Sequence, residues 1–232
     1  MENKKEKLED FKTAISSTVR SISNSEKIEV SFGNQTPKSE KNSIKLPELS
    51  QINNKLNFDQ IRAMADSKSL NFRFSDDKTF KEHEPVGNIS KRLYKISEKI
   101  RCEKIGTSYF KGVKNNIEKF YQERLSGLDL KSSEDKIIES FENYLRTKFL
   151  DFKNDSQIDK KLKSYKKDLN EKFKDKISQL NEATLDQKKF NSLISELISN
   201  MNLDENLDEE EKKEEDKNND DKQNKPDNQD KQ

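Results

Sequence analysis

Apolar residues recur at helical spacing along most of the chain. Leu8, Phe11, Ile15, Val19 and Ile22 lie three or four residues apart, which predicts a first amphipathic helix over residues 5–23. Residues 28–32 (IEVSF) alternate instead, with Ile28, Val30 and Phe32 on one side, and predict a short strand that Gly33 and Asn34 end in a turn. Residues 35–43 are polar and read as a loop. Residues 44–49 (IKLPEL) are apolar, but Pro47 lacks the amide a central strand needs, so they predict an edge strand or an extended segment. Helical spacing resumes over 58–70 with Phe58, Ile61 and Ala65. Leu70, Phe72 and Phe74 then alternate, which predicts a second short strand, and 75–88 read as a polar loop holding His83, Pro85 and Gly87.

The stretch from 89 to 117 is the most strongly patterned. Leu93, Ile96, Ile100, Val113 and Ile117 share one helix face, and Glu98, Arg101 and Glu103 sit between them. Glu98 and Arg101 are three residues apart and therefore neighbours on a helix surface. Gly106 costs a helix interior about 1 kcal/mol against alanine, so it predicts either a helix break or the close approach of another backbone. Further helices are expected at 113–125, ending at Gly127, and at 134–150, with Ser132 or Ser133 as cap and Glu134 and Asp135 at its positive end. One long basic helix is expected over 157–182, along the seam Leu162, Leu169, Phe173 and Leu180. A last helix is expected over 184–201, with Thr184 as cap and Gln187 completing a capping box. These last two read as a helical hairpin.

Composition sharpens the picture. Leu, Ile, Val and Phe make up 53 of the 232 residues, about 23%, just above the level at which disorder becomes the default. Scarce glycine and proline (5 and 4) disfavour a turn-rich β protein. The fold class expected is therefore mainly α: a helical domain with a short β element over 1–125, a helical extension over 126–203, and a disordered acidic tail over 204–232. The net charge of +1 hides a split. Residues 204–232 carry 13 acids and 6 lysines, which leaves a basic body.

The basic body raises nucleic-acid binding as a rival function, since Lys and Arg interleave with Phe and Tyr between 145 and 174. Those lysines alternate with acids and the aromatics fit the apolar seam, so a structural role for them is preferred and a nucleic-acid partner is not expected. The single cysteine, Cys102, rules out a disulfide within the chain and reads as a small buried helix residue. His83 is the one histidine, so the chain has too few ligands for a zinc site and too few groups for nucleophile-and-base catalysis. Phosphate-cradling and dinucleotide-binding glycine motifs are absent. No apolar run approaches the roughly 20 residues that span a bilayer, and the first residues have no apolar signal core. A cytoplasmic helical interaction protein is the reading; no catalytic, cofactor or metal residue is assigned to the chain, and a homo-oligomer stays open.

Four segments, in order, resemble the T subunit of the aerobic, ATP-dependent cobaltochelatase. They are EVSFGN at 29–34, KLPEL at 45–49, RAMADSKSLNFRF at 62–74 and EKIRCEKIGTSYFKGVKNNI at 98–117. The resemblance covers roughly residues 8–120. It implies a helper in the insertion of Co²⁺ into hydrogenobyrinic acid a,c-diamide during cobalamin synthesis. It further implies an AAA+ ATPase partner, a large subunit that holds the macrocycle, and ATP and Mg²⁺ used by the complex and not by this chain. The positions matching the family's motifs are Arg62, Asp66, Glu98, Arg101, Glu103 and Gly106, expected to make structural or interface contacts. Family members usually continue past an acidic linker into a von Willebrand A-like domain with a DxSxS motif; this sequence holds no such run.

Overall fold

The first apolar stripe becomes α1 (Glu2–Ser23), which buries Ile15, Val19 and Ile22. The computed structural model describes residues 2–33, 42–48, 58–128, 130, 132–153 and 156–203, without the side chains of 2–4, 156–159, 161 and 164. The loop expected over 35–43 falls mostly outside the described residues, and the segment 204–232, expected to be disordered, falls wholly outside them.

β1 (Glu29–Phe32) and β2 (Ser43–Leu46) pair in parallel, from Glu29↔Ser43 to Phe32↔Leu46. Pro47 lies one residue past β2, where it removes no ladder bond. Ile28, Phe32, Ile44 and Leu46 pack against Ile15 and Val19 of α1 and against Ile61 and Ala65 of α2 (Phe58–Phe74), forming the smaller of two cores.

α2 runs on through the residues expected to form a strand. The alternation there has another cause: α2 lies between two cores. Leu70 and Phe74, one helical turn apart, face the larger core, while Phe72 faces the smaller. A period of two therefore appears on a helix buried from both sides. The expected loop at 75–88 contains α3 (Asp77–Glu82), capped by Asp76, whose carboxylate accepts from the Thr79 amide at 2.8 Å. None of its residues is buried, so it leaves no apolar stripe in the sequence.

α4 (Asn88–Tyr109) passes through Gly106 unbroken. The break comes at Gly112, whose φ of 91° is open to glycine at little cost and starts α5 (Val113–Ser126). Gly106 is instead the point of close approach: a Cβ there would overlap the terminal carbons of Leu70 on α2. Toward α4 and α5, α2 presents the small buried residues Ala63 and Ser67, and both helices pack against it.

α6 (Ser133–Leu150) is capped by Ser132, which accepts from the Asp135 amide at 3.0 Å. The single long helix expected over 157–182 is divided into α7 (Ser156–Phe173) and α8 (Ile177–Glu182). The intervening Lys174–Asp175–Lys176 contains no glycine or proline. Leu180 and Ala183 after the turn still enter the larger core, so packing imposes the break. α9 (Gln187–Ser199) starts later than expected. Its cap is Asp186, which accepts from the Lys189 amide at 3.0 Å; Thr184 lies before it and turns its hydroxyl to Asn181 O. Nor do the last helices pair as the expected hairpin: α7 packs chiefly on α6, and α9 on α4 and α3. The larger core collects side chains from Ile22 to Leu203, on both sides of residue 125.

The Gly106 contact makes a prediction. Gly106→Ala should destabilise the fold by about 1–3 kcal/mol through overpacking. Leu70→Ala alone should also destabilise, but the double variant should be more stable than the sum of the two losses implies. Urea unfolding of the four proteins checks this, and strictly additive losses would refute the contact.

Candidate functional site

Buried charge is the chemical peculiarity of the interior. α4 turns Glu98, Arg101 and Glu103 inward, and each is at most 2% exposed. Glu98 and Arg101, one helical step apart, form a bidentate pair: Arg101 Nε donates to Oε2 at 2.9 Å and Nη2 to Oε1 at 2.7 Å. The remaining guanidinium donors reach Phe74 O at 2.6 Å and Thr184 O at 3.0 Å. Arg101 therefore ties the last carbonyl of α2 and the turn before α9 to the middle of α4. Burial disfavours its charge, but Glu98 more than offsets this and holds the Arg101 pKa above its usual value. Cys102 sits against the pair, with Sγ 3.7 Å from Glu98 Oε1. Burial first and Glu98 second push its thiol well above the usual range, so it is an unreactive thiol.

Glu103 starts a second, longer chain of charges. Its Oε1 accepts from Ser67 Oγ of α2 at 2.5 Å and its Oε2 from Arg146 Nη1 of α6 at 2.6 Å. Arg146 Nε donates in turn to Glu142 Oε1 at 2.8 Å. Glu142 Oε2 accepts from Arg124 Nη2 of α5 at 2.9 Å, and Arg124 also grips Glu139 through both its terminal nitrogens at 2.6 and 2.9 Å. Charge alternates along this path, so Arg146, Glu142 and Arg124 each lie between opposite ions. Burial pushes the Glu142 carboxyl up, but Arg146, Lys99 and Arg124 outweigh it and hold it at about 2. Burial disfavours the charge of Arg146, but Glu103 and Glu142 outweigh it and raise its pKa above the usual value. The guanidinium of Arg146 also lies 4.7 Å from the Tyr121 ring centre, a cation–π contact in a water-poor setting.

Asp66 is the costly member of the set. It is 2% exposed, and its one hydrogen bond among the described residues comes from Asn116 Nδ2 of α5 to Oδ2 at 2.8 Å. Burial pushes its carboxyl up to about 6, against the Asn116 bond and the charge of Arg62. Arg62, one turn earlier on α2, has an exposed side chain.

Of the six motif positions, Asp66, Glu98, Arg101, Glu103 and Gly106 thus lie inside the helical packing, and Arg62 lies on its surface. They do not converge on one pocket. Glu98–Arg101 and Glu103 point to different neighbours, and Asp66 belongs to the α2–α5 contact. Sequence reasoning missed Ser67, Asn116, Arg124, Glu139, Glu142 and Arg146. One signal was available: Glu142 and Arg146 stand four apart among the apolar Phe141, Leu145 and Phe149. His83 contributes no hydrogen bond through its inaccessible Nε2. Among the described residues no three His, Cys, Asp or Glu side chains are grouped to hold a metal ion, and no helix is long and apolar enough to cross a membrane.

Two predictions follow from these charges. Arg146→Met leaves Glu103 and Glu142 buried with one fewer counter-ion, and should cost about 3–5 kcal/mol; adding Glu103→Gln should recover part of the loss in denaturant unfolding. Asp66 acts in the opposite sense. Its native carboxyl keeps its proton up to about pH 6, against 3.8 ordinarily. The unfolded chain therefore loses the proton first, and the stability this group contributes falls as the pH rises between those values. Asp66→Asn keeps an acceptor for Asn116 and should stabilise the protein at pH 7.5 by about 1–3 kcal/mol, with little effect at pH 3.5. Thermal melts across that range check the sign.

No solved structure matches the chain. The family model described as cobalamin biosynthesis protein CobT matches residues 5–232. That match takes in nearly all of the sequence, including α6 and its arginine network, and the chain belongs to this family.

Proposed function

We propose, from membership of the CobT family, that this chain is the non-catalytic scaffold subunit of an ATP-dependent cobaltochelatase. In this reading the complex inserts Co²⁺, its substrate, into hydrogenobyrinic acid a,c-diamide in the cytoplasm. An AAA+ partner hydrolyses ATP with Mg²⁺, and a large subunit holds the macrocycle. The observation that carries the reading is the family match over residues 5–232. The geometry supports a holding role over a reacting one. The buried carboxylates Glu98, Glu103, Glu139 and Glu142 are each taken up by an arginine, and the one thiol is buried and kept protonated.

Arg62 has the geometry for a partner contact. It is the exposed member of the six motif positions, and it stands on the same helix as Asp59, whose carboxylate accepts from Lys119 of α5 at 2.7 Å. A partner that docks across α2 and α5 would meet this charged rim, where Arg offers a planar fork of donors for a carboxylate.

The test is retention of a purified AAA+ chelatase subunit by the immobilised full chain, with and without ATP. Retention that depends on nucleotide is expected, and its absence under every nucleotide state would overturn the reading. Arg62→Gln should weaken retention about tenfold, equivalent to roughly 1.4 kcal/mol, while the chain stays folded by its unfolding curve.

A further inference from the structure

α7 packs on α6 through Leu162, Leu169 and Phe173. Its opposite face carries lysines. At 100° per residue, Lys160, Lys163, Lys167 and Lys174 fall within about 60° of arc. Lys174 keeps this position just past the helix end, because its amide still donates to Asn170 O at 3.0 Å. All four side chains are exposed, and none has a carboxylate partner among the described residues. Asp159 and Glu171 are the acids beside them, each four residues from one of the lysines. The helix therefore presents an excess of positive charge away from the core, while elsewhere Arg92, Lys119 and Lys188 are paired with Glu134, Asp59 and Glu82.

The matching charge is in the same chain. Residues 204–221 hold 11 acids and 3 lysines and follow directly on Leu203, which is buried in the larger core with α7. From that anchor, 18 residues reach up to roughly 60 Å. Tethering keeps the local concentration of the acidic segment in the millimolar range, so a contact too weak to form between free molecules is populated within one.

We propose that residues 204–221 dock in the same molecule on the lysine strip of α7 formed by Lys160, Lys163, Lys167 and Lys174. The contact is electrostatic and salt-sensitive. It covers an exposed basic helix face, so an external polyanion must compete with the chain's own acids to reach it. This goes beyond the scaffold reading and stands or falls separately from it.

Zero-length carbodiimide cross-linking of the full chain, read by peptide mass mapping, tests the proposal. An equal mixture of isotope-labelled and unlabelled chains separates links within one molecule from links between two. At about 50 mM salt, links from the four lysines to residues 204–221 should dominate and be intramolecular. They should fall at least about fivefold at about 500 mM salt, and likewise in a variant with Glu209, Glu210, Glu211, Glu214 and Glu215 changed to Gln. Links of equal yield to other exposed lysines such as Lys91 and Lys95, links mainly between copies, or indifference to salt would each overturn it.

Discussion

The guanidinium of Arg146 sets the terms for the packing around it. It is 1% exposed, and taking such an ion out of water costs several kcal/mol unless counter-charges stand in the right places. Glu103 of α4 and Glu142 of α6 occupy those places, at 2.6 and 2.8 Å. The requirement propagates. Glu103 takes Ser67 from α2, and Glu142 takes Arg124 from α5. Four helices must therefore settle in one register before the charges are satisfied. A slip of α6 by one residue would swing Arg146 by about 100° away from Glu103.

The second arginine works at right angles to the first. Arg101 spends its donors on Glu98 and on two backbone carbonyls, Phe74 O and Thr184 O. Helix ends and turns leave carbonyls without partners inside the helix, and a buried one needs a donor from elsewhere. Arg101 supplies two of these, joining segments 83 residues apart in sequence. In a chain with only about 23% Leu, Ile, Val and Phe, apolar burial alone defines helix positions loosely. Buried ion pairs add little net stability, but here they discriminate between nearly equivalent packings, because a wrong register leaves a bare charge.

This explains what could be read from the sequence and what could not. Stripes of apolar residues marked α1, α5 and α6 to within a few residues; α6 is buried all round over 138–146, yet its apolar side chains keep the three- and four-residue spacing. α2 was misread at Leu70–Phe74 because it buries two faces, and α3 was invisible because it buries none. The turn at 174–176 depends on where Leu180 must go, which is a tertiary demand with no local breaker. Likewise the cap of α9 is Asp186, while the Thr184 hydroxyl turns back to Asn181 O and its carbonyl meets Arg101. Among the charged positions, Glu98 and Arg101 were legible as neighbours on a single helix. Glu103 with Arg146 was not, because their pairing spans 43 residues and exists only once α4 meets α6.

A division of labour follows between the inside and the outside of the molecule. A buried carboxylate paired with an arginine is committed to that contact, because displacing the arginine would strand a buried charge. Glu98, Glu103 and Glu142 are of this kind. Asp66 is the exception that keeps its proton to about pH 6, and it lies under the surface at Asn116, not in a cleft. Exposed groups are then the ones open to other molecules, among them Arg62 and the α7 lysines. A rigid interior locked by ions, with recognition left to the surface, is a form that suits the scaffold role we propose.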